Sequence, residues 1–212
     1  TSTQRTRFRN PVRFLPARSA RRSASPVLPI FHMPEAIVIL NAPAIQRALT
    51  RIAHEIAERN EASAEVVLVG IQRGGGPLAE RLATLLAGIW GNAVPCGHLD
   101  VSMHRDDLDQ RAAPEIHPTI IPFDVTGKTV VLVDDVLFSG RTIRSAMDSL
   151  NALGRPKCIQ LAVLVDRGQR ELPDKADFVG KNQPTSLAEK VHVRIGEAGC
   201  EDEVVLERNH AE

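Results

Sequence analysis

Apolar residues recur at three- and four-residue spacings after Asn41: Ile45, Ala48, Leu49, Ile52, Ala53 and Ile56. That period predicts a helix over 43–59 with one buried face and Asn41 as its cap. The run VVLVGI (66–71) then reads as a buried strand that ends in QRGGG (72–76). Pro77 suits the first turn of the next helix, PLAERLATLLAGI. A strand near HLDVSM (98–103) leads into a polar, proline-containing connection through residue 128, longer than ordinary connections and therefore expected to be a hairpin or flap. TVVLVDD (129–135) is another buried strand, followed by a helix with Ile143, Ala146, Met147 and Leu150 on its inner face. IQLAVLV (159–165) continues the alternation, and KADFVGK (175–181) and KVHVRI (190–195) read as shorter strands. Strands that alternate with helices, several of them continuously apolar, imply an α/β fold whose mainly parallel twisted sheet is flanked by helices on both faces.

At 212 residues, 43% hydrophobic and 25% charged, the chain has the composition of one soluble domain. No apolar run approaches the roughly 20 residues of a membrane span. Cys96, Cys158 and Cys200 are far apart and make no C-x-x-C pair, which argues for a reducing, cytoplasmic setting and against a disulfide frame or a thiolate zinc site. The zero net charge conceals a division. Residues 1–32 carry seven arginines and no acid, leaving 19 Lys and Arg against 26 Asp and Glu in 33–212. The expectation is a disordered basic leader over 1–32 and one domain over 33–212. A non-native extension ahead of Met33 is the favoured account of the leader, then organelle targeting, then a nucleic-acid-binding arm.

The chemistry gathers at two strand ends. QRGGG and LFSGRT each sit where a strand gives way to a helix, a junction that offers free backbone N–H groups and a positive dipole end to phosphate. Two such loops suit a ligand with two separate phosphate groups. Asp134 and Asp135 repel each other unless hydroxyls or a cation arrive, so they are candidates for the vicinal hydroxyls of a sugar. Either feature alone is commonly a plain connection or a solvated acid pair; their combination is rarer. It matches neither G-x-x-x-x-G-K-[ST] nor G-x-G-x-x-G.

VVLVDDVLFSGRT resembles the phosphoribosyl-pyrophosphate (PRPP) motif of the type I phosphoribosyltransferases. HRDDL, TGKTVVLVDDVL, RALTRIAHEIAERN and LGRPKCIQLAVLVDRGQRELPDKADFVGKNQPTS resemble the PyrR family, from about Pro34 to the C-terminus. The resemblance implies the type I phosphoribosyltransferase fold with a flexible flap. It also implies a uracil phosphoribosyltransferase that makes UMP and pyrophosphate, and regulates pyrimidine genes by binding an mRNA leader stem-loop in response to UMP or UTP. By the same resemblance, Asp134 and Asp135 are catalytic and hold the ribose hydroxyls, Ser139, Gly140, Arg141 and Thr142 wrap the 5′-phosphate, and Val136, Leu137 and Phe138 belong to the same substrate-binding stretch. Arg73 and Gly74 serve the pyrophosphate, and the flap His104, Arg105, Asp106 and Asp107 closes over the site, with Arg105 catalytic. The family usually has a Lys-Thr-Arg-Gly-like loop and a tyrosine before Arg-Asp-Asp, where Gln72-Arg73-Gly74-Gly75 and His104 stand here. Mg²⁺ is implied, held mainly through the PRPP pyrophosphate, with no protein ligand assigned. Asp166, Val191 and His192 are the expected surroundings of the base.

The helix at 43–59 has a polar outer face that by pattern alone is a solvated surface with Arg51–Glu55–Arg59 pairs. The resemblance instead implies RNA contact by Thr50, Arg51, His54, Arg59, Arg170, Lys175 and Lys181, where Gln169 and Lys175 replace a histidine and an arginine. That face is expected to lie away from the strand carboxyl ends, so that Arg51 and Arg170 would be dispensable for transfer. His98, His117, His192 and His210 show no metal-ligand spacing. A regulator without catalysis and a transferase without RNA binding remain open, as does the size of the expected homodimer or larger homo-oligomer.

Overall fold

A computed structural model describes residues 35–61, 65–102, 117–196 and 199–208. Its elements are strand β1 (Glu35–Asn41), helix α1 (Ala42–Arg59), strand β2 (Val66–Ile71), helix α2 (Gly75–Trp90) and strand β3 (Cys96–Leu99). There follow strand β4 (Thr129–Leu137), helix α3 (Arg141–Leu153), and strands β5 (Cys158–Asp166), β6 (Phe178–Asn182), β7 (Glu189–Arg194) and β8 (Glu203–Arg208).

Five strands form a parallel sheet in the order β3-β2-β4-β5-β6. Alternate residues divide the core in two. Val66, Leu68, Val131 and Val133 pack with α1 and α2, whereas Val67, Val69, Val130 and Leu132 pack with α3. Helix α1 forms as its sequence period requires: Asn41 Oδ1 accepts from the Ala44 amide at 3.1 Å, and the six apolar positions at helical spacing are buried. From β2 the chain steps outward to β3, then returns to start β4 on the other side of β2. The crevice beyond the carboxyl ends of β2 and β4 is therefore the point where strand order reverses, the customary ligand position of such sheets.

The ends of the fold add to the sequence reading. Strand β7, read only as a short strand, joins β8 and β1 in a separate antiparallel sheet. Residues 35–41 form a strand of their own, because β8 supplies a partner that no local pattern announces. Strand β3 ends at Leu99, earlier than HLDVSM implied. Ion pairs cross the second sheet, Arg194 to Glu203 at 2.6 Å and Arg208 to Glu189 at 2.9 Å, and Arg81 of α2 holds Asp202 at 2.5 Å.

The expected flap lies mostly outside the described residues, and His104, Arg105, Asp106 and Asp107 are among those not described. The chain on either side of it is held near the end of β3. His98 and Ile120 exchange backbone hydrogen bonds of 2.7 and 2.8 Å, and the Asp100 carboxylate accepts from the amides of Ser102 at 2.7 Å and His117 at 2.5 Å. Burial raises the Asp100 pKa, but these hydrogen bonds outweigh it and hold the carboxyl below its usual range. No helix among the described residues is long and apolar enough to cross a membrane.

Candidate active site

The two glycine-bearing loops stand side by side because β2 and β4 are hydrogen-bonded neighbours. The first is packed so closely that side chains are excluded. A Cβ on Gly74 would lie 2.2 Å from Asp135 Oδ2, one on Gly75 would lie 2.1 Å from the Val133 carbonyl, and one on Gly76 would meet His98 Nδ1 at 2.9 Å. Each glycine thus admits a different neighbour, and the run GGG brings the start of α2 directly against the carboxyl end of β4. The Gln72–Arg73 peptide in this loop is cis, and Arg73 is exposed.

Asp134 is buried and Asp135 half-buried at the end of β4. Asp134 Oδ1 accepts from the Asp135 amide at 3.0 Å, and Asp135 Oδ1 accepts from Val136 at 2.7 Å. Burial pushes the Asp135 carboxyl above its usual range, only partly opposed by hydrogen bonds from the Val136 amide and from Asp134. Lost solvation is the largest cause of the rise, and Asp134 acts on its neighbour through a side-chain hydrogen bond that opposes it.

The second loop turns at Gly140 (φ 90°), the N-cap of α3, where a Cβ would lie 2.6 Å from Asp174 Oδ2. Neither Gly74 nor Gly140 can cap its helix with a side chain, and neither helix has an acid in its first turn. Two positive helix ends therefore open onto one crevice, a setting for anions. Arg141, at the start of α3, binds Glu171 at 2.6 Å, and its amide lies 3.4 Å from Ser139 Oγ. Thr142 is half-buried beside it, and Leu137 is buried beneath the loop.

The stretch after β5 braces this loop. The Glu171 and Leu172 amides donate to the Ser139 carbonyl at 3.0 and 3.1 Å. Arg170 donates to the carbonyls of Phe138 at 2.9 Å, Gly168 at 3.0 Å and Asp174 at 3.0 Å, and pairs with Asp166 at 2.6 Å. Arg170 is thus at the strand carboxyl ends with its guanidinium engaged, which overturns its expected place on a remote face. Both Asp166 oxygens are also occupied, one by Arg170 and one by the Gly168 amide at 2.9 Å.

The other expected base residues do not line this crevice with their side chains. Val191 packs against the core beside α1 and α2, and His192 is exposed and bound to Glu207 at 2.8 Å. What does reach the end of β5 is the connection between β6 and β7. The Gln183 amide donates to the Asp166 carbonyl at 2.8 Å, Gln169 donates to the Thr185 carbonyl, and Arg167 donates to Thr185 Oγ1 at 2.9 Å and to the Glu189 carbonyl at 2.8 Å. Arg167, absent from the sequence expectation, carried no signal there, because a cation that binds carbonyls leaves no periodic trace. Among the cysteines, burial and then Glu80 push the Cys96 thiol up to about 11, which keeps it from acting as a thiolate nucleophile.

On the far flank, α1 lies along β6. Arg51 donates to the carbonyls of Val179 at 2.9 Å and Gly180 at 2.7 Å and pairs with Glu55 at 2.5 Å. Arg59 does not complete an Arg51–Glu55–Arg59 series; it pairs with Asp177 at 2.7 Å and lies 5.7 Å from the Phe178 ring centroid. Thr50 bonds its own helix through Gln46, His54 is exposed on the same helix, and Lys181 belongs to β6 next to the carbonyls that Arg51 holds. Lys175 is exposed in the segment leading to that strand. The structure thus gathers Arg51, Arg59 and Lys181 at one edge of the sheet and sets Arg170 apart from them.

Residues 38–195 match the family described as the phosphoribosyl transferase domain. The chain is 59% identical over 174 residues to "Bifunctional protein PyrR" of Chloroflexus aurantiacus, covering 82% of this chain and 96% of that one. It is 55% identical to the protein of the same name from Thermus thermophilus, covering 79% and 93%, and 51% identical to that of Listeria welshimeri, covering 84% and 100%. Among solved structures, a Trypanosoma cruzi hypoxanthine phosphoribosyltransferase superposes with a TM-score of 0.64 at 17% identity, covering 81% of this chain and 91% of that one. A Bacillus anthracis hypoxanthine-guanine phosphoribosyltransferase gives 0.58 at 21% identity, covering 70% and 84%. At those identities the structures establish likeness of fold.

Proposed function

Because the chain belongs to the PyrR family and is built on its phosphoribosyl transferase domain, we propose that it converts uracil and PRPP to UMP and pyrophosphate, and that it regulates pyrimidine genes through uridine-nucleotide-dependent binding of an mRNA leader stem-loop. The observation that carries the catalytic half is the meeting of two helix N-termini around Asp135 and Gly74 at the reversal of strand order.

The ribosyl carbon becomes cation-like as pyrophosphate leaves, so the protein's task is to orient the base and to stabilise the departing charge. Arg73 and the first turn of α2 face the pyrophosphate. Ser139 to Thr142 and the start of α3 enclose the 5′-phosphate, which displaces Glu171 from Arg141. Asp134 and Asp135 accept hydrogen bonds from the ribose hydroxyls, an interaction that offsets the cost of ionising Asp135 in a buried place. Main-chain groups of residues 183–189 read the edge of uracil. No protein nucleophile takes part.

Relatives of this fold generally work with Mg²⁺. Hard carboxylate oxygens at the end of β4, one of them raised in pKa by burial, fit such an ion. It would be held chiefly by the substrate's pyrophosphate and would neutralise that group's charge. A cytoplasmic location and a homodimer or larger homo-oligomer accompany this reading. Residues 33–212 constitute the catalytic unit, so a chain beginning at Met33 is expected to match the full chain in turnover and in melting temperature; a large fall in either would refute that division.

RNA is assigned to the edge formed by α1 and β6, with Thr50, Arg51, His54, Arg59, Lys175 and Lys181 facing it. Because residues 33–212 are net acidic, a local basic patch must supply the attraction, and affinity should fall with salt in proportion to the phosphates contacted. Arg51→Ala is expected to reduce the slope of affinity against salt by about one phosphate and to leave uracil transfer unchanged. Arg170→Ala is expected to impair transfer, since it releases the Phe138 carbonyl. Gel shifts at several salt concentrations beside a pyrophosphate-release assay test both. Equal RNA affinity for wild type and Arg51→Ala would remove the surface. The altered Gln72-Arg73 loop keeps a regulator without catalysis as the second reading, and the same pair of assays decides it.

A further inference from the structure

Arg167 is a buried charge, 8% exposed. Burial pulls its pKa down, opposed only by the charge of Glu189, and the Glu189 carboxylate is itself engaged by Arg208 at 2.9 Å and the Ser186 amide at 2.7 Å. A buried guanidinium is costly unless its donors are satisfied. Here Nε goes to Thr185 Oγ1 at 2.9 Å, and Nη2 goes to the carbonyls of Ser186 at 3.2 Å and Glu189 at 2.8 Å. All three acceptors belong to the connection between β6 and β7 or to the first residue of β7. The flat guanidinium lies 4.1 Å from the ring centroid of Phe138, inside the phosphate loop, and the Arg167 amide donates to the Leu137 carbonyl at 3.1 Å. One side chain therefore touches both structures that must hold the two halves of a nucleotide.

We propose that Arg167 is a positioning residue that sets the base-holding connection 183–189 at a fixed distance and angle from the 5′-phosphate loop. It rests on the transferase reading above and extends it. The base and the ribose carbon it attacks are carried by separate segments, one after β4 and one between β6 and β7, and only a rigid tie keeps them aligned. An error of about 1 Å in such an alignment costs on the order of 10²-fold in rate. The planar fork suits the task, because it donates to three acceptors while lying over the ring, which a lysine cannot do. Arg167 touches no reacting atom; it acts through Phe138 and through the main chain of 185–189.

The effect is specific to alignment. Each substrate keeps its own contacts when the tie is cut, so the loss falls on turnover rather than on binding. Arg167→Lys and Phe138→Leu are expected to lower kcat for UMP formation about 30-fold or more, with the KM for PRPP and the KM for uracil within about threefold of wild type. Phe138→Leu leaves every hydrogen bond of Arg167 in place, so it reports on the tie even where an Arg167 variant folds poorly. Arg167→Ala opens a space that methylguanidinium can enter, and millimolar methylguanidinium should restore kcat in that variant alone. Unchanged kcat in both Arg167→Lys and Phe138→Leu would overturn the inference, as would KM values that rise in step with the loss of kcat. A wild-type chain with no uracil transfer at all would overturn the transferase reading, and this inference with it.

Discussion

Replacing both Asp134 and Asp135 by asparagine is expected to cut UMP formation by at least about a thousandfold and to yield a ligand-free protein that melts higher than wild type at neutral pH. The rate loss follows from removing the two acceptors proposed for the ribose hydroxyls, since single preorganised polar groups are commonly worth about 10²–10³ in kcat. The gain in stability follows from Asp135. Its folded carboxyl titrates above the unfolded value because it is buried, so the folded state binds the extra proton. Stability is fully present below the unfolded pKa of about 3.9 and is lost as pH rises through the folded pKa. An asparagine does not ionise, so the variant's advantage should be small near pH 4, grow as pH rises and then level off. Melting curves across that range, with steady-state kinetics at neutral pH, check both halves. Near-normal turnover would remove the two acids from the site, and a variant that melts lower at every pH would contradict the account of Asp135.

Gly75→Ala is the second large effect. The new Cβ would lie 2.1 Å from the Val133 carbonyl, main chain against main chain inside the sheet, with no flexible side chain to yield. Overpacking of this kind costs about 1–3 kcal/mol, and the start of α2 must move away from β4. Since the proposed site needs both that helix end and Asp135, transfer should collapse together with stability. Gly74→Ala strikes the acid itself. Its Cβ would lie 2.2 Å from Asp135 Oδ2 and 2.7 Å from Asp135 Cβ, and rotation of the carboxyl relieves only the first contact, so this variant too should lose both activity and stability. Gly88, also in α2, has nothing within 4 Å of an added Cβ, and Gly88→Ala should stabilise by about 0.5–1 kcal/mol. Urea unfolding of the three variants beside their turnover gives the comparison; a harmless Gly75→Ala would mean that the loop and β4 are farther apart than described.

Much of this site was legible because its elements are local. The strands β2, β4 and β5 carry long apolar runs, and the helices that follow β2 and β4 carry their own periods and glycine starts. The crevice needed only the rule that ligands sit at strand carboxyl ends. What escaped the sequence depends on distant partners. Strand β1 exists because β8 pairs with it across the length of the chain. Arg170 was set among the RNA residues by resemblance, and its bond to the Phe138 carbonyl, in a different segment of the chain, left no mark in the sequence around it. Arg167 was invisible for the same reason. The base surroundings were sought near Asp166 and β7 by resemblance, whereas the connection before β7 is what returns to β5.

The most direct test of the account is the formation of labelled UMP from labelled uracil and PRPP with Mg²⁺, run beside hypoxanthine and guanine as competing bases. The account predicts uracil-dependent turnover with release of one pyrophosphate per UMP and no product from either purine. Absence of turnover with uracil, or transfer to a purine in its place, would contradict it.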